Sequence, residues 1–135
     1  MGTILVTGNG GYVGVHTVLL LQERGYRVIG LDNLSTGRRH YADIADAWVE
    51  ADLSNLTAME TVFRSHKIDG IIHCAALALV GESMTEPEKY YRVNVGGTAN
   101  LLTLARQYGV MDFVFSSTAA TYGEPEVEVI TDRFL

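Results

Sequence analysis

The sequence predicts an α/β fold, a doubly wound parallel sheet with helices on both faces. Three observations carry this. Residues Ile4 to Gly14 read ILVTGNGGYVG, a short buried strand running into a glycine cluster and then into an apolar helical run, Val15 to Leu21. Strand-like runs then alternate with helix-like runs along the rest of the chain. Finally, an acidic residue, Asp32, ends the second strand 18 positions after Gly14.

The glycine cluster has a physical reading. A glycine at the end of a strand permits a tight turn with positive φ. A second, at the helix start, lets backbone approach a pyrophosphate, and a third, one turn on, lets helix and strand pack closely. Gly8, Gly11 and Gly14 have this spacing, GxxGxxG; the GxGxxG alternative fails because position 13 is Val13. The helix that follows turns its unpaired N–H groups and positive dipole end toward the phosphates. Asp32 lies close to the separation expected of a carboxylate that accepts hydrogen bonds from ribose hydroxyls. Its plain alternative is a turn cap. An acidic side chain there repels a 2′-phosphate and favours NAD over NADP, an inference that Arg38 and Arg39 weaken.

Composition sets the outer bounds. The chain has 135 residues, 47% of them hydrophobic, enough for one globular domain with a real core. Its net charge of −6 argues against a nucleic-acid partner. No apolar run reaches the length of a membrane span. The chain enters its first strand at once, so no signal peptide is expected. The single Cys74 fits a reducing compartment, and the expected location is the cytoplasm.

Taken in order, strand one is expected at Thr3 to Thr7 and helix one from Gly11 to Arg24, stopped at Gly25. Strand two, Arg27 to Leu31, ends at Asp32, and Asn33 to Gly37 form its loop. Tyr41 to Ala47 are a short helix or an irregular crossover. Strand three is Trp48 to Ala51, followed by Asp52 and Leu53. A helix follows from Leu56 to His66 with Leu56, Met59, Val62 and Phe63 on one face. Asp52 is either that helix's N-cap, a contact for an adenine amino group, or both. Strand four is Gly70 to Cys74, with the small residues Ala75 and Ala76 at its carboxyl end. The loop Leu77 to Glu86 leads to Pro87 and a long helix, Glu88 to Tyr108, stopped by Gly109. Asn94 lies inside that helix, facing solvent or the site, and Gly96 and Gly97 permit close packing. Strand five, Phe113 to Ser116, ends in hydroxyls at Ser116, Ser117 and Thr118. The strand order follows as 3-2-1-4-5.

These segments resemble the extended short-chain dehydrogenase/reductase family, and within it the UDP-glucose 4-epimerase branch. The matching stretches are TGNGGYVGVH (Thr7 to His16), LDNLSTG (Leu31 to Gly37), ADL (Ala51 to Leu53), IIHCAALALVGES (Ile71 to Ser83), YYRVNVGGT (Tyr90 to Thr98) and FSSTAATYG (Phe115 to Gly123). The resemblance implies a Rossmann-type NAD-binding domain, residues 1–135, that stops before the later strands and the substrate domain. It implies tightly held NAD and the interconversion of UDP-glucose and UDP-galactose through a 4-keto intermediate. By this similarity Gly8, Gly11, Tyr12, Val13 and Gly14 hold the pyrophosphate. Asp32, Asn33, Ser35, Thr36 and Gly37 hold the adenosine end, and Asp52 and Leu53 the adenine. Cys74, Ala75, Ala76 and Ala78 line the cofactor, with Asn94 nearby, and Thr118 matches the family's catalytic Ser/Thr.

The chain departs from the family at two places. Ala78 stands where many members have a lysine. The family's Tyr-x-x-x-Lys pair, in which the tyrosine removes the hydroxyl proton and the lysine lowers its pKa, is absent: no tyrosine here has a lysine four residues on. The chain alone is therefore expected to be inactive. The alternatives are a non-catalytic NAD-binding module or pseudoenzyme, or another sugar-nucleotide epimerase. Exposed apolar surface and an open sheet edge are expected, with aggregation or a homodimer as the result. His16, His40, His66 and His73 lack metal-ligand spacing, so no metal is expected. His73 and Cys74 read as core packing rather than a nucleophilic pair. No G-x-S-x-G elbow surrounds the hydroxyls. Glu124, Glu126 and Glu128 read as a solvated segment.

Overall fold

A computed structural model of the chain describes residues 2–124 and residue 131. The strands β1 (Thr3–Thr7), β2 (Arg27–Asp32), β3 (Ala47–Glu50), β4 (Gly70–His73) and β5 (Asp112–Phe115) form a sheet in the order β3-β2-β1-β4-β5. Every pairing is parallel, with Thr7 opposite both Leu31 and His73. The carboxyl ends of the strands therefore meet along one edge, where open α/β sheets bind ligands.

Alternate side chains of the strands feed two cores, one on each face. On one face Val6 and Val28 pack with Val18 of helix α1 (Tyr12–Glu23). On the other, Leu5, Ile29, Leu31 and Ile71 meet Met59, Val62 and Phe63 of α3 (Leu56–Ser65) and Leu101 and Leu104 of α6 (Gly97–Gln107). Leu56 does not join this face; it is exposed at the start of α3. The helix stops expected at Gly25 and Gly109 are present, with φ of 82° and 72°. At each, the following residue's amide reaches back to a helix carbonyl, Tyr26 to Leu21 and Val110 to Ala105.

The crossover after β2 carries a short helix, α2 (Arg39–Ala42), which begins earlier than the expected Tyr41 to Ala47 because Ala47 already pairs in β3. The segment expected as a loop between Leu77 and Glu86 contains helix α4 (Val80–Thr85). The long helix is present but not uniform. It starts as α5 (Pro87–Tyr90), widens into a π turn at Tyr91–Gly96, and continues as α6 with helical dihedrals at both junctions. Of its two glycines only Gly97 is needed for packing. A Cβ there would lie 2.5 Å from Leu53 Cβ, whereas one on Gly96 would make an ordinary contact, 3.9 Å from the Tyr91 carbonyl. Val114 and Phe115 are each 58% exposed, on opposite faces of β5, a strand paired on one side among the described residues. Glu126 and Glu128 lie outside the described residues.

Candidate functional site

The glycine turn is built as its spacing predicts. Gly8 leaves β1 with φ of 74°, and a Cβ there would lie 2.8 Å from the Ala75 amide nitrogen. The Gly8 carbonyl accepts the Gly11 N–H at 3.0 Å. A Cβ on Gly14 would collide with that same carbonyl. Gly11 caps α1 without a side chain, so the first-turn amides of Tyr12, Val13 and Gly14 have no intrahelical acceptor and mark the positive end of the helix. Tyr12 and Val13 expose their side chains to solvent.

Asp32 closes the other side of this turn. It is only 7% exposed, and its Oδ2 accepts the Gly10 N–H at 2.9 Å while its Oδ1 accepts the Leu34 N–H at 2.7 Å. Asn33 folds the next step of the loop, accepting the Ser35 N–H, and donates through Nδ2 to Asp52 Oδ2 at 2.7 Å. These overlapping turns hold Leu34 at a φ of 56° and set Gly37 against Asp32. Asp52 is not the cap of α3; Asn55 is, accepting the Ala58 N–H. The Ser54 hydroxyl beside Asp52, helped by the Ser54 amide and Asn33, holds its carboxyl below the usual carboxylate range against a modest desolvation.

The wall after β4 is pinned at both ends. Ala75 N–H donates to Thr7 Oγ1 at 3.3 Å. Asn94, in the π turn, accepts the Leu77 N–H and donates to the Leu77 carbonyl, at 2.8 and 2.9 Å. Asn94 is thus a clamp on the wall, not a solvent-facing residue. His73 is 1% exposed beneath this wall, and burial pushes its pKa down. Burial also pushes the Cys74 thiol up, as expected of a packed rather than a nucleophilic cysteine.

Two clefts open along the carboxyl edge. One, with about 550 Å³ of open space, runs from Gly8 and Gly11 past Asp32, Asn33, Ser35, Thr36 and Gly37 to Leu53. The other, about 970 Å³, reaches Ala78, Asn94 and Thr118. Cys74, Ala75, Ala76 and Leu77 line both, so the clefts adjoin along this segment and together form a run along the edge. Tyr12, Val13, Gly14 and Asp52 flank it without lining it. Thr118 Oγ1 caps a 3₁₀ turn (Ala119–Tyr122) by accepting the Ala120 N–H, next to Ser117 at a φ of 61°. Among the described residues lining the run, none is arginine or lysine. Arg39 is drawn away to Glu50 at 2.7 Å, over the Trp48 ring. The backbone-lined turn, with glycines where a Cβ would fill the cradle, fits an anionic dinucleotide held by amides rather than by cations.

Several site residues were not singled out from the sequence. Gly10 supplies the amide that fixes Asp32, and Thr7 and Thr98 flank His73. Their signal is tertiary: none of these partners is near in sequence. Leu31, Ala51 and Val93 line the first cleft as apolar strand-end and helix residues.

The sequence pattern of the NAD dependent epimerase/dehydratase family matches residues 4–134. The chain is 47% identical over 124 residues to the UDP-glucose 4-epimerase of Lacticaseibacillus casei, covering 92% of this chain and 38% of that one. It is 50% identical over 123 residues to that of Halalkalibacterium halodurans, covering 90% and 36%. The crystal structure of the Thermus thermophilus UDP-glucose 4-epimerase in complex with NAD superposes with a TM-score of 0.89 at 40% identity, covering 98% of this chain and 43% of that one. The chain spans about two fifths of the length of these relatives.

Proposed function

The chain belongs to the NAD dependent epimerase/dehydratase family, and we propose that it is the NAD-holding part of a UDP-glucose 4-epimerase, which interconverts UDP-glucose and UDP-galactose. The observation that carries this is Asp32: a buried carboxylate fixed by two backbone amides at the mouth of a cleft floored by the glycine turn. Each of its oxygens keeps a lone pair for a ribose hydroxyl. Among the described residues no basic side chain lines this cleft, so a 2′-phosphate would meet the Asp32 carboxylate, which favours NAD over NADP.

In this reading the amides of Gly11, Tyr12 and Val13 and the end of α1 hold the pyrophosphate, with Gly8 and Gly14 keeping the turn tight. Asn33, Ser35, Thr36 and Gly37 surround the adenosine, and Asp52 and Leu53 the adenine. Cys74, Ala75, Ala76 and Ala78 form a flat wall toward the nicotinamide end, which Asn94 keeps in place. The chemistry supplied by bound NAD is acceptance and return of a hydride. Thr118, its oxygen fixed by the Ala120 amide, keeps its proton to donate to the reacting sugar oxygen. The proton-abstracting Tyr-x-x-x-Lys pair does not occur in these 135 residues.

The test pairs two assays on the purified chain. In a thermal-shift titration NAD⁺ raises the melting temperature and NADP⁺ does not; in a coupled assay UDP-galactose is not turned over. Equal stabilisation by both dinucleotides would overturn the role of Asp32, and turnover by the chain alone would overturn the need for the missing pair.

A further inference from the structure

His73 is a buried titratable group that the proposed reaction does not use, yet its hydrogen bonds are fully ordered. The Thr98 hydroxyl donates its one proton to the Asn94 carbonyl at 2.6 Å, a group that only accepts. Facing His73 Nε2 at 2.9 Å, the Thr98 oxygen must therefore accept, so Nε2 carries the hydrogen. In the neutral ring that burial favours, Nδ1 is then bare and accepts the Thr7 hydroxyl at 2.6 Å. The Thr7 oxygen in turn accepts the Ala75 N–H. The chain of donors runs one way, Ala75 to Thr7 to His73 to Thr98 to the Asn94 carbonyl. Phe113 and Phe115 cover the ring from β5.

The two ends of this relay are the two anchors of the cleft wall. Thr7 holds Ala75, and the turn gripped by Thr98 carries the Asn94 amide that holds Leu77. We propose that His73 is a positioning residue of the dinucleotide site: locked as the Nε2–H tautomer, it couples β1, β4 and the π turn so that the wall Ala75 to Leu77 presents a fixed backbone surface to the bound dinucleotide. The relay is read directly from the hydrogen bonds; its role toward the dinucleotide rests on the NAD reading above.

The test combines a spectroscopic signature with variants that keep one arm each. In long-range ¹H–¹⁵N spectra of the ¹⁵N-labelled chain, His73, assigned by the loss of its signals in a His73 variant, shows a single Nε2–H tautomer. A mixture of tautomers at His73 overturns the relay. Next, NAD⁺ affinity is measured for His73→Asn, which keeps an acceptor near Nδ1 for Thr7, His73→Gln, which keeps a donor near Nε2 for Thr98, and His73→Leu, which keeps neither. The expected losses are about threefold to tenfold for the first two and more than about tenfold for the third. Thr98→Val, nearly isosteric and independent of how the ring is replaced, is expected to weaken binding about fivefold. Unchanged affinity in folded Thr98→Val and His73→Leu overturns the positioning role while leaving the NAD reading intact. If His73→Leu fails to fold, unchanged affinity in Thr98→Val alone overturns it. No binding by the wild-type chain overturns the NAD reading, and the role of His73 with it.

Discussion

The carboxylate of Asp32 accepts the backbone proton of Gly10 at 2.9 Å, so the tip of β2 and the glycine turn after β1 are one unit. A ligand that touches the turn is thereby presented with the Asp32 loop in a fixed position. Asp32→Asn keeps the shape but places an NH₂ against one of the two backbone donors, Gly10 or Leu34. Hydrogen bonds from amides to a buried charged group are worth about 1.5–3 kcal/mol. The variant is expected to lose about 2 kcal/mol in urea unfolding and to bind NAD⁺ more weakly in the same preparation.

Gly14 and Gly97 each pack tightly against a segment of the site. An added methyl on Gly14 collides with the Gly8 carbonyl, and one on Gly97 with the Leu53 side chain. Overpacking of this kind costs about 1–3 kcal/mol. Gly14→Ala is expected at the upper end, because the obstacle is a backbone carbonyl and the nearer of the two, and Gly97→Ala somewhat lower, because the obstacle, Leu53 Cβ, is 2.5 Å away. Gly96→Ala meets no obstacle and, by helix propensity, is expected to stabilise by up to about 1 kcal/mol. Chemical denaturation of the three variants ranks them.

Much of this arrangement was legible in the sequence, and the limits of that reading are physical. The strand order and the glycine turn were readable because they rest on local signals: apolar runs, positive-φ glycines and fixed spacings. Strand ends moved by a residue at Ala47, His73 and Phe115, since pairing partners, not composition, decide where a strand stops. Helix α4 was missed because VGESMT offers no apolar stripe; it is held by Tyr90 and Lys89 reaching Glu82 from the next helix. Asn94 and His73 could be noticed but not assigned, because the partners that define them, Leu77, Thr7 and Thr98, are brought in by the fold.

Asn94→Asp replaces the donor to the Leu77 carbonyl with a carboxylate oxygen while the acceptor to Leu77 N–H remains. The charged form repels that carbonyl; the protonated form restores a donor. NAD⁺ affinity of this variant is expected to fall about tenfold at a pH of about 7.5 and to recover toward wild type as pH falls through the range where the new carboxyl takes up a proton. A pH series of binding titrations reads this out.

The buried His73 gives the wild-type chain the opposite pH trend. Its folded-state pKa lies below the ordinary 6.5, pushed down by burial, so between those two values the unfolded chain binds more protons than the folded one. Stability is then full above about 6.5 and is lost as pH falls from there through the folded pKa, with a slope of up to about 1.4 kcal/mol per pH unit. The groups around the ring, Thr7, Thr98, Phe113 and Phe115, are uncharged. His73→Gln should flatten this part of the curve. A second loss, at pH values around the ordinary carboxylate range and below, belongs to carboxylates whose pKa is lowered: Asp52 mainly by Ser54, Glu60 mainly by Tyr108 and Glu82 mainly by Lys89. Urea unfolding from about pH 7.5 to about pH 2.5 separates the two.

The position of the dinucleotide is the central claim, and amide chemical-shift mapping of the labelled chain during NAD⁺ titration tests it most directly. The predicted result is saturable shifts in the amides of Gly8, Gly11, Tyr12 and Val13, in Asn33 to Gly37 and in Ala75 to Leu77, with the outer surfaces of α3 and α6 unmoved. Shifts confined to those outer surfaces, or no shifts at millimolar NAD⁺ in a folded chain, would contradict it.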